Sequence, residues 1–299
     1  MNFGRFFLLT LLLVPATVFG QTAQEKYREA KAAEFRSDNA TDHNKREAHI
    51  SQAFGAIVEA VVADVRYVNA FATITRKYVA RLSSYTDFYW YLTDGIVKAG
   101  EKRSGNPVFK SLVVDVIRGY KQMLLQKGFA PGKPIFQSRQ DRFHCNVLTL
   151  AEQIYKLSRL ASPGSAETIG WGRYAADAYM TNFRGCGGEG SDIERDPFKA
   201  YSLYSLVQYR PGMYRTGKMI GDLWMEKYIF GGSDFEGNGS YDPGHRPYFD
   251  MAMQFYRGGG VARNGIGIRS TVLRNLRRAE EYEYQRAIDV AQKTLAELF

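Results

Sequence analysis

The stretch NPVFKSLVVDVIRGYKQMLLQKG, residues 106–128, carries the signals of a complete helix. Asn106 belongs to the residue types that cap helix N-termini, because its side chain accepts hydrogen bonds from the first backbone N–H groups. Pro107 follows at the first helical position, where its missing N–H is no loss, and Gly128 suits the position just beyond a helix end. The stretch therefore predicts one α-helix with both ends marked.

Segments on both sides of this helix show helical spacing. Upstream, residues 51–82 place apolar side chains three and four positions apart, which favours a helix face over strand alternation. These side chains are Phe54, Ile57, Val58, Val61, Val62 and Val65. Downstream, residues 139–162 are predicted to form another helix. No alternating strand pattern runs for more than a few residues, so the predicted fold class is all-α.

An aromatic segment, SYTDFYWYLTDG at residues 84–95, lies within this helical half. Its rings are those of Tyr85, Phe88, Tyr89, Trp90 and Tyr91. Aromatic rings beside carboxylates, here Asp87 and Asp94, can bind sugars. Rings on several sides of one helix are more typical of a helix packed against its neighbours, so these side chains are predicted to lie in the core.

The chain is predicted to divide at the loop FAPGKPIFQS, residues 129–138, which contains two prolines and a glycine. This places an N-terminal helical region at 21–130 and a helical repeat-like region at 139–299. The second region is richer in glycine, and its short aromatic helices alternate with glycine clusters. It is predicted to end in one long helix that begins at about Ser270.

The first 20 residues are predicted to be a secretory signal peptide. Arg5 precedes an apolar run from Phe6 to Val14, and small residues follow up to a cleavage point after Gly20. The alternative is a retained N-terminal anchor. No later stretch approaches the roughly 18 apolar residues of a membrane helix. The mature chain is therefore expected to be periplasmic or secreted, without a transmembrane span.

The chain has two cysteines, Cys145 and Cys186. An oxidising compartment favours a disulfide between them, and the alternative is a pair of unrelated buried thiols. Neither belongs to a closely spaced pair of zinc ligands. The four histidines, His43, His49, His144 and His245, fit no metal or serine-triad motif, and His144 is expected to point away from Cys145. The sequence predicts no metal and no cofactor.

A glycine tract in MAMQFYRGGGVARNGIGIR, residues 251–269, raises the question of a phosphate loop. A P-loop requires Lys and a hydroxyl residue after its last glycine, and neither follows Gly258, Gly259 and Gly260 at that spacing. A dinucleotide site requires a preceding strand, whereas residues 249–256 are predicted to be helical. The tract is therefore predicted to be a turn between two packed helices, where glycine permits positive φ and close backbone approach.

The tracts FRGCG and YRGGG begin at residues 183 and 256 and are 256 − 183 = 73 residues apart, about two units of a helical repeat. Here the chain resembles the Sel-like repeat family, whose pattern is L-G-x-x-Y-x-x-G-x-G-V-x-x-D-x-x-K-A. The matching residues are Met251, Ala252, Phe255, Gly258, Gly260, Val261 and Asn264, with Asp196, Lys199 and Ala200 at the end of an earlier copy. The resemblance implies α-solenoid-like helix pairs in the C-terminal half, and an adaptor, assembly or effector-neutralising role.

One segment offers an enzymatic alternative. Phage-type lysozymes carry a catalytic Glu late in a helix and then a hairpin containing T-I-G-Y-G-H, and Glu152 followed by residues 168–172, TIGWG, is similar to that arrangement. The family's hairpin Asp has no equivalent, and Arg173 replaces the His. Glycoside hydrolysis requires a second polar group across the substrate, so Glu152 alone is insufficient.

A basic cluster near the C-terminal end comprises Arg263, Arg269, Arg274, Arg277 and Arg278. It is either a solvated, salt-bridged helix face or a partner-binding face. The chain carries a formal charge of +9, which suits an acidic protein partner better than nucleic acid in an exported protein. The sequence thus favours an exported helical binding or scaffold protein that acts through protein–protein contact, with the glycan-cleaving enzyme as the alternative.

Overall fold

The computed structural model describes residues 15–82, 86–137, 142–186, 191–233, 237 and 239–299. These residues form α1 (Pro15–Asn39), α2 (His43–Ala63), α3 (Val68–Leu82), α4 (Thr86–Arg103), α5 (Pro107–Gln126), α6 (Cys145–Ala161), α7 (Ala166–Tyr179), α8 (Pro197–Leu206), α9 (Arg210–Phe230), α10 (Arg246–Gly259), α11 (Ile268–Glu281) and α12 (Gln285–Leu298). Two short 3₁₀ helices span Val65–Tyr67 and Arg142–His144. The β pairing among these residues consists of two isolated bridges, Phe183 with Ile193 and Gly232 with Tyr241. The predicted all-α class is confirmed.

The structure describes only part of the predicted signal peptide. Residues 1–14 of that segment lie outside the described residues, and α1 begins at Pro15. Within the described part of the chain, none of the helices combines the length and the hydropathy needed to cross a bilayer.

The chain forms two compact units, which meet in sequence between Trp171 and Gly172. The division falls inside α7 and not at the loop of residues 129–138. It therefore differs from the predicted boundary. Below, the two parts are called the N-terminal unit and the C-terminal unit.

Local signals in the N-terminal unit act as the sequence predicts. The Asn106 side chain accepts hydrogen bonds from the backbone N–H groups of Val108 and Phe109, at 2.9 and 3.2 Å. Pro107 occupies the first turn of α5, and Gly128 has a φ of +84° just beyond its end. A positive φ is strained for most residues but not for glycine. The cap, the proline and the glycine of this helix are confirmed.

The core of the N-terminal unit is built around α2, which packs against α1, α3 and α4. Four buried aromatic rings from α2, α3 and α5 form its centre: Phe54, Phe71, Tyr78 and Phe109. The rings of Phe54 and Tyr78 are stacked, with centroids 4.5 Å apart and planes inclined by 5°. Such stacking stabilises the core beyond the burial of apolar area.

The C-terminal unit is organised around α9, which contacts α8, α10, α11 and α12. Its buried apolar residues come from all the helices after α8, and include Ile220, Tyr256, Val272 and Ala287. α9 is therefore the central helix of this unit.

A close helix contact of the unit is the crossing of α9 and α10 at two glycines. A Cβ atom added to Gly217 would lie 2.9 Å from the Cα of Gly259 and 2.8 Å from the carbonyl oxygen of Phe255. A Cβ atom added to Gly259 would lie 2.8 Å from the carbonyl oxygen of Met213. Only glycine fits at both positions, because every one of these neighbours is backbone.

Of the three glycines predicted to form a turn, Gly258 and Gly259 are the last residues of α10, and Gly260 follows in the turn that ends the helix. Gly260 has a φ of +71°, its N–H donates to Arg257, and the N–H of Val261 donates to Tyr256 over 2.8 Å. These are the hydrogen bonds of a Schellman helix end. The close approach is made with α9, however, and not with the helix that follows the turn.

Two tyrosines lie flat against further glycines of α9. A Cβ atom added to Gly212 would meet the ring of Tyr204 at 2.5 Å, and one added to Gly221 would meet the ring of Tyr256 at 2.5 Å. The missing side chains thus create the surfaces on which α8 and α10 place their rings.

The predicted long C-terminal helix is wrong, because the chain turns between α11 and α12. Glu283 has a φ of +52°, and the N–H of Tyr284 donates to Ala279 over 2.9 Å. This is again a Schellman end, with glutamate where glycine is usual. Nothing in the local sequence resembles a helix breaker, which is why the pattern predicted one helix.

Candidate functional site

Both cysteines are disulfide-bonded, and the chain contains no free thiol. The predicted disulfide of Cys145 and Cys186 is confirmed, and the alternative of two buried thiols is wrong. His144 is buried, and its Nε2 lies 3.7 Å from the sulfur of Cys145. The expectation that this ring points away from Cys145 is therefore also wrong.

The lysozyme-like arrangement around Glu152 does not form. Residues 168–172 belong to α7, so the hairpin that the enzymatic alternative requires is not formed by these residues. The hydroxyl of Thr168 lies 2.9 Å from that of Ser165, and it donates to the carbonyl of Ser162, also over 2.9 Å. These bonds at the first turn favour a helix start. Glu152 itself forms an ion pair with Lys156 at 2.9 Å.

Two of the predicted arginines in α11 form ion pairs with acids of α9. Arg274 lies 3.6 Å from Asp222, and Arg278 lies 2.8 Å from Glu226. Both acids are on α9, four residues apart and thus on one face. Arg277 is exposed. Two of the predicted partner-binding residues therefore hold α11 against α9, while their contact with a partner stays a prediction.

The two other arginines of the predicted set lie around the loop between α10 and α11. Arg263 and Arg269 are exposed, and the N–H of Arg269 donates to the carbonyl of Arg263 over 2.8 Å. Ile266 between them is 80% exposed. The loop thus presents Arg263 and Ile266 to solvent, and Arg269 follows in the first turn of α11.

A single carboxylate, that of Asp222, links three helices of the C-terminal unit. One of its oxygens accepts hydrogen bonds from the hydroxyls of Tyr256 on α10 and Thr271 on α11, at 2.8 and 2.7 Å. Its other oxygen is 2.7 Å from the ammonium of Lys218. Burial and the adjacent carboxylate raise the pKa of Tyr256, so its phenol stays protonated and keeps donating.

A similar polar cluster joins α7, α8 and α9. The hydroxyl of Tyr204 lies 2.5 Å from Asp177, and the guanidinium of Arg215 donates to both Tyr204 and Asp177, at 2.7 and 3.2 Å. Burial, followed by the contact with Asp177, raises the pKa of Tyr204. Both clusters satisfy their own charges and are structural.

A cleft of about 800 Å³ lies where α8 ends, α9 begins and α10 ends. We call it the basic cleft. Its lining comprises Ser205, Gln208, Arg210, Pro211, Met213, Tyr214, Arg257, Gly258, Gly259 and Gly260. The lining has two arginines and no acidic residue.

The fold positions both arginines of the basic cleft. Gln208 has a φ of +53° and ends α8 in a Schellman turn, so that Arg210 begins α9 on the exposed side. Arg257 lies in the last turn of α10, which the glycine crossing holds against α9. Both arginines are exposed, and neither forms an ion pair within the described residues.

Sequence reasoning did not select Arg210 or Arg257, because 257 − 210 = 47 residues separate them. The local signal is a Tyr-Arg pair beside the end of a helix. It occurs in YRP at 209–211, where α9 begins, and in YRGGG at 256–260, where α10 ends. The predicted turn glycines, Gly258 to Gly260, form one wall of the cleft. They were selected for a turn and not for a site.

The aromatic segment of α4 also differs from its prediction. Trp90 is 43% exposed and Tyr91 is 73% exposed, so these two rings are not core residues. The side chains of Tyr85, Phe88 and Tyr89 lie outside the described residues.

No family model, no curated protein and no solved structure matches this chain. The resemblance to Sel-like repeats therefore rests on the quoted residues alone.

Proposed function

We propose that this protein is an exported α-helical binding protein that acts through protein–protein contact, and that its basic cleft holds an acidic segment of the partner. The observation that carries the proposal is the pair of exposed arginines, Arg210 and Arg257, in a cleft without an acidic residue. Guanidinium groups bind carboxylates in bidentate fashion, which gives both affinity and orientation.

The surroundings of the basic cleft support an acidic protein partner. The hydroxyl of Ser205 and the amide of Gln208 add uncharged hydrogen-bonding groups, and Tyr214 and Met213 add apolar contact. Arginine and tyrosine are enriched among the residues that dominate protein interfaces. The charge of +9 would also speed the approach of an acidic partner.

The predicted arginine face extends the same proposal. Arg263, Arg269 and Arg277 are exposed and are available to a partner, in contrast to Arg274 and Arg278, which also carry ion pairs to α9. The solenoid-like stacking implied by the repeat resemblance belongs to the proposal too, because stacked helix pairs present extended surfaces to partners.

The binding test uses a fluorescein-labelled oligoglutamate peptide, followed by fluorescence anisotropy at low and at raised salt. We expect the double variant Arg210→Glu/Arg257→Glu to weaken binding by about tenfold or more, which corresponds to about 1.4 kcal/mol. The matched control is Lys110→Glu/Lys133→Glu, which makes the same change of net charge at exposed positions of the N-terminal unit.

The control variant should retain most of the affinity of the unmodified protein. Equal losses in the two double variants would mean that the peptide responds to net charge alone, and the basic cleft would then be excluded as the binding site. Inorganic phosphate is added as a competitor at a comparable concentration of negative charge. If it displaces the peptide, the ligand of the basic cleft is a small anion and not a protein partner.

Export is tested separately. The disulfide suits an oxidising compartment, and the first 20 residues match the pattern of a signal peptide. Expression of the full chain in a bacterium, followed by fractionation and mass spectrometry, should recover periplasmic protein that begins at Gln21. Uncleaved protein in the cytoplasm would contradict this part of the proposal.

A further inference from the structure

The N-terminal unit contains a second cleft, of about 770 Å³, between α2 and α4 and over the end of α3. We call it the aromatic cleft. Its lining comprises Ser51, Phe54, Gly55, Val58, Glu59, Tyr78, Trp90, Tyr91, Asp94, Gly95 and Lys98. It lies in a different unit from the basic cleft and shares no residue with it.

The aromatic cleft has a rigid floor and an exposed aromatic wall. The stacked rings of Phe54 and Tyr78 are buried and form the floor. The wall is the exposed pair Trp90 and Tyr91. The ammonium of Lys156 lies 4.4 Å from the centre of the Trp90 ring. Glu152 fixes Lys156 in turn, so the indole is held in place before any ligand arrives.

The polar groups of the aromatic cleft include both hydrogen-bond donors and acceptors. Glu59 and Asp94 contribute two carboxylates, and Lys98 contributes one ammonium. Glu59 is also paired with Lys26 at 3.2 Å, and Lys26 is shared with Glu29 at 3.0 Å. The cleft therefore suits a ligand that both donates and accepts hydrogen bonds.

Two glycines give the aromatic cleft its depth. A Cβ atom added to Gly95 would meet the ring of Phe54 at 2.6 Å, so glycine is required for that ring to lie between α2 and α4. A Cβ atom added to Gly55 would meet nothing within 4 Å. Gly55 therefore lies under open space inside the cleft, in the middle of a helix where alanine would be more favourable.

We propose that the aromatic cleft binds an uncharged saccharide, with one pyranose face against Trp90 and Tyr91. A pyranose combines an apolar C–H face, which suits an aromatic ring, with hydroxyls that both donate and accept hydrogen bonds. The carboxylates of Glu59 and Asp94 accept from such hydroxyls, while the ammonium of Lys98 donates. An anion would require an excess of ammonium, which the lining does not have, and an organic cation would make no use of the ammonium of Lys98.

The test follows tryptophan fluorescence during titration with three uncharged trisaccharides, tri-N-acetylchitotriose, cellotriose and maltotriose. Of the three tryptophans, Trp171 and Trp224 are 3% and 8% exposed, so Trp90 is the one that a ligand reaches. We expect a shift of emission with at least one trisaccharide. The binding should be insensitive to salt, because no net charge is neutralised.

Two variants of one residue provide the matched comparison. Gly55→Leu places a branched side chain in the open space and should weaken binding by about tenfold or more. Gly55→Ala keeps most of that space and should weaken binding much less than Gly55→Leu does. Trp90→Ala, followed by calorimetry because it removes the reporter, should also weaken binding by about tenfold.

Three results would overturn the proposal. One is that no trisaccharide binds the unmodified protein at millimolar concentration. Another is equal binding by Gly55→Leu and Gly55→Ala, with both variants shown to be folded by circular dichroism. The third is binding of hexyltrimethylammonium, an organic cation, in place of every saccharide.

Discussion

Replacing Gly217 by alanine would place a methyl group against the backbone of α10. The methyl carbon would lie 2.9 Å from the Cα of Gly259 and 2.8 Å from the carbonyl oxygen of Phe255. Neither neighbour is a side chain that could rotate away. The two helices must therefore separate before the methyl group fits.

The size of the effect follows from these distances. Carbon atoms attract each other best at about 3.5–4.0 Å, so the helices would separate by about 0.6–1 Å. A gap of that size forfeits about a quarter to a half of the dispersion attraction across the contact. Overpacking of this kind destabilises a protein by about 1–3 kcal/mol. Alanine also gains about 1 kcal/mol of helix propensity over glycine, and the gain opposes this loss.

Gly119→Ala is the matched control, because Gly119 is in the interior of α5 and an added Cβ would meet nothing within 4 Å. Both variants gain helix propensity, so the difference between them isolates the packing term of about 1–3 kcal/mol. Gly258→Ala is a second comparison, since its methyl group would meet the hydroxyl and the ring of the Tyr201 side chain and no backbone atom.

Urea unfolding followed by circular dichroism gives the free energies, and hydrogen exchange of α9, α10 and α5 assigns each change to its own helices. We expect Gly217→Ala to speed exchange in α9 and α10, and Gly119→Ala to slow exchange in α5. If both variants raised stability by the same amount, the glycine crossing would carry no packing constraint and the reasoning would fail.

Three further results are expected. Arg278→Glu should lower the melting temperature, because it places a second carboxylate beside Glu226. Both side chains are partly exposed, so the loss of unfolding free energy should be about 1 kcal/mol. Arg277→Glu should leave the melting temperature unchanged in the same scan. Burial alone would raise the pKa of Glu34, but its hydrogen bonds with Lys31 and Lys77 outweigh burial and lower it. The stability from these bonds is therefore present above the usual pKa of about 4.3 and is lost as pH falls through the lowered value, so acid titration of the unfolding free energy should show a smaller loss for Glu34→Gln. Reduction of the disulfide should lower the free energy of unfolding by about 3–4 kcal/mol in the chain-entropy estimate, and unchanged denaturation midpoints with and without reductant would contradict this.

The parts of the fold that the sequence predicts correctly depend on local chemistry. The start and end of α5 follow from Asn106, Pro107 and Gly128, because capping and positive φ involve only neighbouring residues. The break between α11 and α12 was missed because Glu283 adopts a positive φ without being glycine. Its conformation depends on the hydrogen bonds and packing of the folded helix end, which no residue pattern displays.

The site residues show the same division. Of the glycines of residues 258–260, only Gly260 lies in a turn, because Gly258 and Gly259 end α10. The contact of this tract with Gly217 and its position beside Arg210 arise from packing across the chain. Exposure of Trp90 and Tyr91 was not predicted either. An aromatic-rich helix has the same sequence pattern whether its rings face a neighbouring helix or a cleft, because only the arrangement of α2, α3 and α4 decides between them.

The glycine crossing also limits how this protein can evolve. A destabilising side chain in a core is often compensated when a neighbouring residue becomes smaller. At Gly217 and Gly259 that route is closed, because each residue already has no side chain and the nearest remaining contacts are backbone. A descendant that acquires a side chain at either position must change the crossing of α9 and α10 itself. A change in the crossing would also change the distance between Arg210 and Arg257. Substitutions at this buried pair of glycines would therefore alter the shape of the basic cleft.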